Sequence, residues 1–439
     1  MKTIRCSYRV SSCLKEEDFS ATARCLQQER DRIGSTYQQM RYDDDRASVV
    51  VIQDKRILRD VQRVIAEKKC LEPRAMIVIG IGGSNLGTLA VHQALHGALY
   101  NERHPAMQVY FADTVDSDSL SCQIAIVQEI LAVGDNVLLN VVTKSGATTE
   151  TIACFELFLG VLKEYRPKNY HEYIVVTSDA DSQLAQFAYQ EQMTVLDIPE
   201  KIGGRYSVFT AVGLFPLGML GVDLEELLAG ARAGLQTCVQ ESLDDNPALA
   251  SAVVKYLVSK HGVVISDFFT FSKDLAGIGL WYRQLMGESL GKTRDNGTVV
   301  GMTPTVSIGS IDLHSVGQLY LGGPKDKITT FLAVAHNKTK LEVPTIPDLD
   351  RCVSNIQGVS VSFLMEAIIS GVQTAYTKHH RPCMSLMLPE KTEYWIGYLM
   401  QMYMVEMMFL GVLFEVNPFD QPHVELYKKE TRILLSGRL

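Results

Sequence analysis

An arginine behind two glycines opens the chemistry of this chain, in GGRYS at residues 203–207. Paired glycines let main chain pass close to a ligand, and arginine brings a fixed charge and a planar fork of donors. Together they suit a carboxylate, a phosphate or a developing oxyanion; the plainer alternative is a tight turn with a surface arginine. The run that follows, VFTAVGLFPLGML, is apolar and helix-like, which places Arg205 at the mouth of a buried element. Two further segments could receive an anion. GIGGSNLG (80–87) follows a strand-like run and opens a helix, so its amides and the helix N-terminus can face negative charge, with the Ser84 hydroxyl beside them. TKSGATTET (143–151) repeats the arrangement and clusters Thr143, Ser145, Thr148 and Thr149 around Lys144. Both patterns also serve as ordinary strand–helix turns or N-caps.

Proton transfer requires other groups. WYRQLMGESLGK (281–292) places Glu288 ahead of a glycine turn, and IDLHSVGQL (311–319) sets Asp312 two residues before His314. A carboxylate and an imidazole are the usual proton carriers near neutrality. NPFDQPHVELYKK (417–429) ends in a short helix bearing Lys428. The glycine spacing at 80–87 is not that of a dinucleotide fingerprint, and 143–151 is not a Walker A loop. His92 and His96 lie four apart without an HExxH pattern, so no metal is expected.

The elements positioning these residues come in an α/β rhythm. AMIVIG (75–80), QVYFAD (108–113), NVLLNVV (136–142) and YIVVT (173–177) read as buried parallel strands separated by helices. The turn-like DDNP (244–247) precedes a second set: HGVVISD (261–267), TPTVSIG (303–309), KITTFLAV (327–334) and CMSLML (383–388). Helices fit 275–285, 359–377 and 392–410, and VPTIPDLD (343–350) reads as a loop. The expected plan is a helical arm over 1–45, two tandem αβα sandwiches with mainly parallel sheets over 46–215 and 216–415, and a helical segment over 416–439.

At 439 residues, 46% hydrophobic and 21% charged, the chain can bury large cores. A net charge of −8 argues against a broad nucleic-acid surface. Nine scattered cysteines with no CxxC pair fit free thiols in a reducing cytosol. MKTIRCSYRV lacks an apolar core of signal-peptide length, so export is not expected. The apolar stretch 402–414, interrupted by Glu406, is too short to span a bilayer and reads as a buried helix.

In order and separation, GIGGSNLG, TKSGATTE, GGRYS and FDQ-x-x-VE-x-x-K resemble the glucose-6-phosphate isomerase family, in its shorter bacterial form, from about residue 77 to 435. The resemblance implies two sugar-isomerase-type domains and reversible conversion of glucose 6-phosphate and fructose 6-phosphate, in glycolysis and gluconeogenesis, without cofactor or metal. It implies that Ser84, Thr143, Ser145 and Thr148 bind the sugar phosphate with Lys144 nearby, and that Gly83 and Gly204 admit the ligand to the backbone. Arg205 would stabilise the enediolate and Glu288 would shuttle the proton, with Asp312 in reserve. His314 and Lys428 would open the ring and move hydroxyl protons; Glu150 and Gln421 would line the sugar. It further implies a cytoplasmic homodimer in which His314 comes from the neighbouring subunit. His423 departs from the family pattern, which has a small residue there, and its bulk is expected to shift the Lys428 helix. The segment between Glu288 and His314 is also longer than in close relatives by a few residues. Two alternatives stay open: a noncatalytic sugar-phosphate sensor, and an isomerase of broader hexose-phosphate range.

Overall fold

The computed structural model of the chain describes residues 4–9 and 14–437. It opens on a strand, β1 (Arg5–Arg9), whose partner lies far along the sequence. The first sheet then forms from β2 (Pro73–Ile79), β3 (Gln108–Ala112), β4 (Asn136–Val142), β5 (Ile174–Ser178) and β6 (Thr194–Asp197). Their order is β3-β2-β4-β5-β6, every pair parallel. Side chains alternate between faces along a strand. In β2, Ala75, Ile77 and Ile79 accordingly pack with Phe155, Phe158 and Leu162 of helix Thr149–Tyr165, while Met76 and Val78 enter the main core on the other face.

The second sheet uses β7 (Ile265–Thr270), β10 (Thr303–Ile308), β11 (Lys327–His336) and β12 (Cys383–Glu390); a small antiparallel pair, β8 (Lys292–Thr293) and β9 (Val299–Val300), intervenes in sequence. The order is β1-β12-β11-β7-β10, with β1 antiparallel and the rest parallel. One hydrophobic cluster joins both sheets: Met76 and Val78 belong to it together with Phe268 and Leu332.

Four sequence readings change. The N-terminal arm holds helices Glu16–Cys25 and Gln27–Gln38 but also β1, whose short mixed sequence pairs at the edge of a remote sheet. The strand expected at 261–267 starts at Ile265 and continues through Phe268 and Phe269, because Gly262, at φ +84, turns the chain after helix Pro247–Ser259. The boundary drawn between residues 215 and 216 falls inside helix Ala211–Met219. Finally, the late apolar stretch belongs to helix Glu393–Phe414, whose 22 residues are long enough to cross a membrane, so length does not exclude a span. Its place is the protein interior. Gly230 and Gly397 let it lie backbone to backbone on helix Leu224–Cys238, where a Cβ on Gly397 would fall 2.0 Å from the Leu227 carbonyl oxygen. Its Glu406 meets Lys255 at 2.6 Å with both side chains fully buried. Unpaired charges at that depth would cost several kcal/mol, of order 3–5, so the pair must form for the helix to pack.

Candidate active site

Arg205 is the centre of the site. It lies in a short 3-10 turn, Gly204–Tyr206, and its side chain is fully buried. All five of its N–H donors are engaged. Nε donates to Ser289 Oγ at 2.9 Å, and Nη1 to Glu288 Oε2 at 3.2 Å and to the Gln421 amide oxygen. Nη2 donates to the carbonyls of Pro418 (2.6 Å) and Asp420 (2.9 Å). The arginine thus ties the end of helix Ala276–Leu290 to the turn at 417–421. With no donor free, its charge could reach an anion only through the field, or through a donor released by Gln421 or Glu288. Trp281 Nε1 donates to the Arg205 carbonyl at 3.2 Å, which fixes the backbone behind it.

Glu288 sits on the last turn of the same helix, half-buried. Its second oxygen, Oε1, accepts from Gln284 Nε2 at 3.0 Å. Both oxygens are therefore held, one from its own helix and one from Arg205. Gln284 in turn lies against Gly82, whose φ is +58. The glycine loop 80–87 thereby reaches the carboxylate. It also reaches the arginine: a Cβ on Gly83 would fall 2.1 Å from the Gly204 carbonyl carbon and 2.5 Å from Arg205 N. Ser84 ends the 3-10 turn of that loop, half-buried, immediately before helix Leu86–His96.

The hydroxyl-rich loop forms another wall. Thr143 and Thr148 share a hydrogen bond of 2.9 Å, and Thr148 is the N-cap of helix Thr149–Tyr165. Lys144 instead donates to the Glu200 carbonyl; burial holds its pKa below that of an ordinary lysine. Ser145, Thr148 and Glu150 line a cavity of about 140 Å³ whose far side is Lys428 and Arg432 of helix Val424–Ser436. Lys428 is paired with Glu425 at 2.7 Å. His423 stands exposed at the N-cap of that helix, which forms over Val424–Ser436 regardless.

Two proposed proton carriers are placed differently. Asp312 accepts the Ile308 N–H (2.7 Å) and the Ser315 hydroxyl (2.7 Å) with its two oxygens, the pattern of a turn-capping residue. His314 is exposed at the end of the 3-10 turn Ile311–Leu313. Among the described residues no hydrogen bond or ion pair joins it to Arg205 or Glu288. The structure thus brings together Gly83, Gly204, Arg205, Glu288 and Gln421, and separately Ser145, Thr148, Glu150 and Lys428; His314 is in neither set. His92 meets Tyr100 edge to face and His96 packs tilted against both in an aromatic cluster, and burial lowers His92 to a pKa of about 4.

Known proteins share this framework. A family model described as phosphoglucose isomerase matches residues 64–346 and 351–436. The chain belongs to the phosphoglucose isomerase family. A glucose-6-phosphate isomerase of Carboxydothermus hydrogenoformans is 34% identical over 369 residues, covering 82% of this chain and 78% of its own. One from Thermus thermophilus is 34% identical over 388 residues, covering 88% and 89%. Among solved structures, a hypothetical protein of Thermus thermophilus superposes with a TM-score of 0.84 at 29% identity, covering 98% of this chain and all of its own. A glucose-6-phosphate isomerase of Chlamydia trachomatis shares the fold, with a TM-score of 0.81 at 20% identity, covering 99% and 88%. Around Arg205, sequence reasoning missed Gln284, Ser289 and Lys292. Gln284 had a readable signal, since it precedes Glu288 by one helical turn and so shares its face. Ser289 and Lys292 had none, because their partners lie 84 and 128 positions away.

Proposed function

We propose that the protein interconverts glucose 6-phosphate and fructose 6-phosphate through an enediol, moving one proton between C2 and C1. The observation that carries the reading is Glu288, held through both oxygens by Gln284 and Arg205 beneath the touching glycine loops. In this assignment Glu288 takes the C2 proton and returns it at C1. The electron pair left behind becomes an enediolate, whose negative charge lies within the field of Arg205. Ser84, Thr143, Ser145 and Thr148 hold the phosphate, with Lys144 at the edge. Lys428 and His314 serve ring opening and hydroxyl transfer, and Glu150 and Gln421 bound the sugar. Electrons and protons balance within the substrate, so the scheme calls for no redox cofactor. The test is a coupled assay on fructose 6-phosphate in EDTA. Glucose 6-phosphate formation is expected. Binding without turnover would favour the sensor reading, and activity restored only by a divalent ion would overturn the metal-free scheme.

The same reading places the enzyme in cytoplasmic glycolysis and gluconeogenesis, as a homodimer of two-domain chains. The position of His314 supports the dimer, since it is exposed and unconnected to Glu288 within its own chain. Helix Val361–Lys378 adds support by leaving Phe363 and Ile368 exposed. A fully active monomer in sedimentation would exclude it.

A further inference from the structure

We propose that Lys292 is a positioning residue for the isomerase site, locking the turn at 417–421 against Arg205. The inference rests on the proposed isomerase activity. Lys292 follows Glu288 and Ser289 by only a few residues, and its side chain is 6% exposed. Its ammonium donates to the Asn417 carbonyl, to the Asp420 carbonyl at 2.9 Å and to Asp420 Oδ1 at 2.6 Å. Arg205 takes the Pro418 carbonyl and shares the Asp420 carbonyl. Two buried cations therefore grip one short turn, and the residue that closes it, Gln421, lays its amide oxygen on Arg205.

That arrangement is unfavourable in itself. Burial lowers the proton affinity of Lys292, Arg205 repels it, and the Asp420 carboxylate is the main group opposing both. An apolar side chain could have filled the space without desolvating a charge. What an ammonium adds is direction: it fixes two carbonyls and a carboxylate on a segment with no regular secondary structure. Helix Val424–Ser436, carrying Lys428, begins three residues beyond the turn. Lys292 thus acts at a distance on where Gln421 and Lys428 stand relative to Glu288, without itself meeting substrate.

The experiment compares wild type, Lys292→Met, Lys292→Arg and Gln421→Ala with the Lys292→Met/Gln421→Ala double variant, using fructose 6-phosphate. Lys292→Met is expected to keep the secondary structure and assembly of wild type while kcat falls roughly 10–100-fold, the scale of a misplaced reacting group. Lys292→Arg is expected to recover part of that loss. In the Gln421→Ala background the further loss should shrink to a few-fold, because the two residues act through one turn. Unchanged kcat in Lys292→Met, or losses that multiply independently in the double variant, would overturn the proposal. If Lys292→Met fails to fold, Asp420→Asn carries the test: a kcat decrease in the same direction supports it and wild-type kcat overturns it. An inactive wild type would instead sink the isomerase reading, and this inference with it.

Discussion

The two halves of the site are built to different standards. Around Arg205 every donor is engaged within the protein and the guanidinium is fully buried. Around Lys428 the ion-pair partner is a neighbour on the same helix and no residue of helix Val424–Ser436 is buried; His314, outside both sets, is exposed as well. The difference separates two tasks. Under the proposed mechanism, groups that must face charge as it develops are fixed before substrate arrives, which avoids reorganisation during reaction. Groups proposed to handle an entering ring stand at the surface, where substrate or the proposed second subunit would complete their surroundings.

The sharpest way to break that comparison is at the carboxylate. Glu288→Gln preserves shape, keeps one acceptor for Arg205 and can meet Gln284 if that amide turns its unpartnered oxygen toward the new NH2, but it cannot act as a base. We expect kcat to drop roughly 10²–10⁴-fold with folding stability nearly unchanged. Exchange of the C2 hydrogen with solvent should vanish with it. If exchange survives there and disappears in Asp312→Asn, the base is Asp312 and the buried half has been misread.

Arg205→Ala should lose turnover and stability together, because it takes the main donor from the Pro418 carbonyl and the Ser289 hydroxyl and leaves one Tyr206 hydroxyl, 3.4 and 3.2 Å away, to serve both. A stability loss on the order of 3 kcal/mol by urea denaturation is expected from unmet buried polar groups. Lys428→Ala and His314→Ala should be the converse, losing about 10- to 100-fold in kcat while stability moves by less than about 0.5 kcal/mol. A large stability loss in either exposed variant would erase the distinction between the halves. The smallest effects belong to the hydroxyls. Ser84→Ala and Thr148→Ala should weaken fructose 6-phosphate binding by about 0.5–3 kcal/mol, read as a higher KM or calorimetric Kd. Unchanged affinity in both would move the phosphate elsewhere.

Much of this was legible in the sequence where the signal is local. NVLLNVV announces β4 residue for residue, and TPTVSIG covers β10, because short runs rich in Val, Leu, Ile and Thr between helical stretches read as buried parallel strands. Edges were harder. Nothing in RCSYR says that it pairs with β12, nearly four hundred residues away, since an edge strand needs only half the apolar pattern. The glycine loops were readable as loops, yet their mutual contact was not, because it is a property of folding rather than of either motif. Glu406 was noticed only as an interruption in an apolar run; its partner Lys255 lies on another helix and carries no mark of burial in its own neighbourhood. His314 matches the family pattern in sequence, but among the described residues no hydrogen bond or ion pair joins it to Arg205 or Glu288, so its proposed role rests on the dimer proposal.

The contact of Gly83 with Gly204 gives the site a gauge. In the proposed assignment one loop belongs to the phosphate end of the ligand and the other to the end where the proton moves, and no side chain stands at their contact to be trimmed or enlarged. On that assignment the spacing of the two ends is written in main chain. A protein that measures its substrate with main chain cannot be retuned to a shorter or longer sugar by a single exchange at the point of measurement. Selection for five-carbon phosphates should leave both glycines in place and alter the walls around them instead.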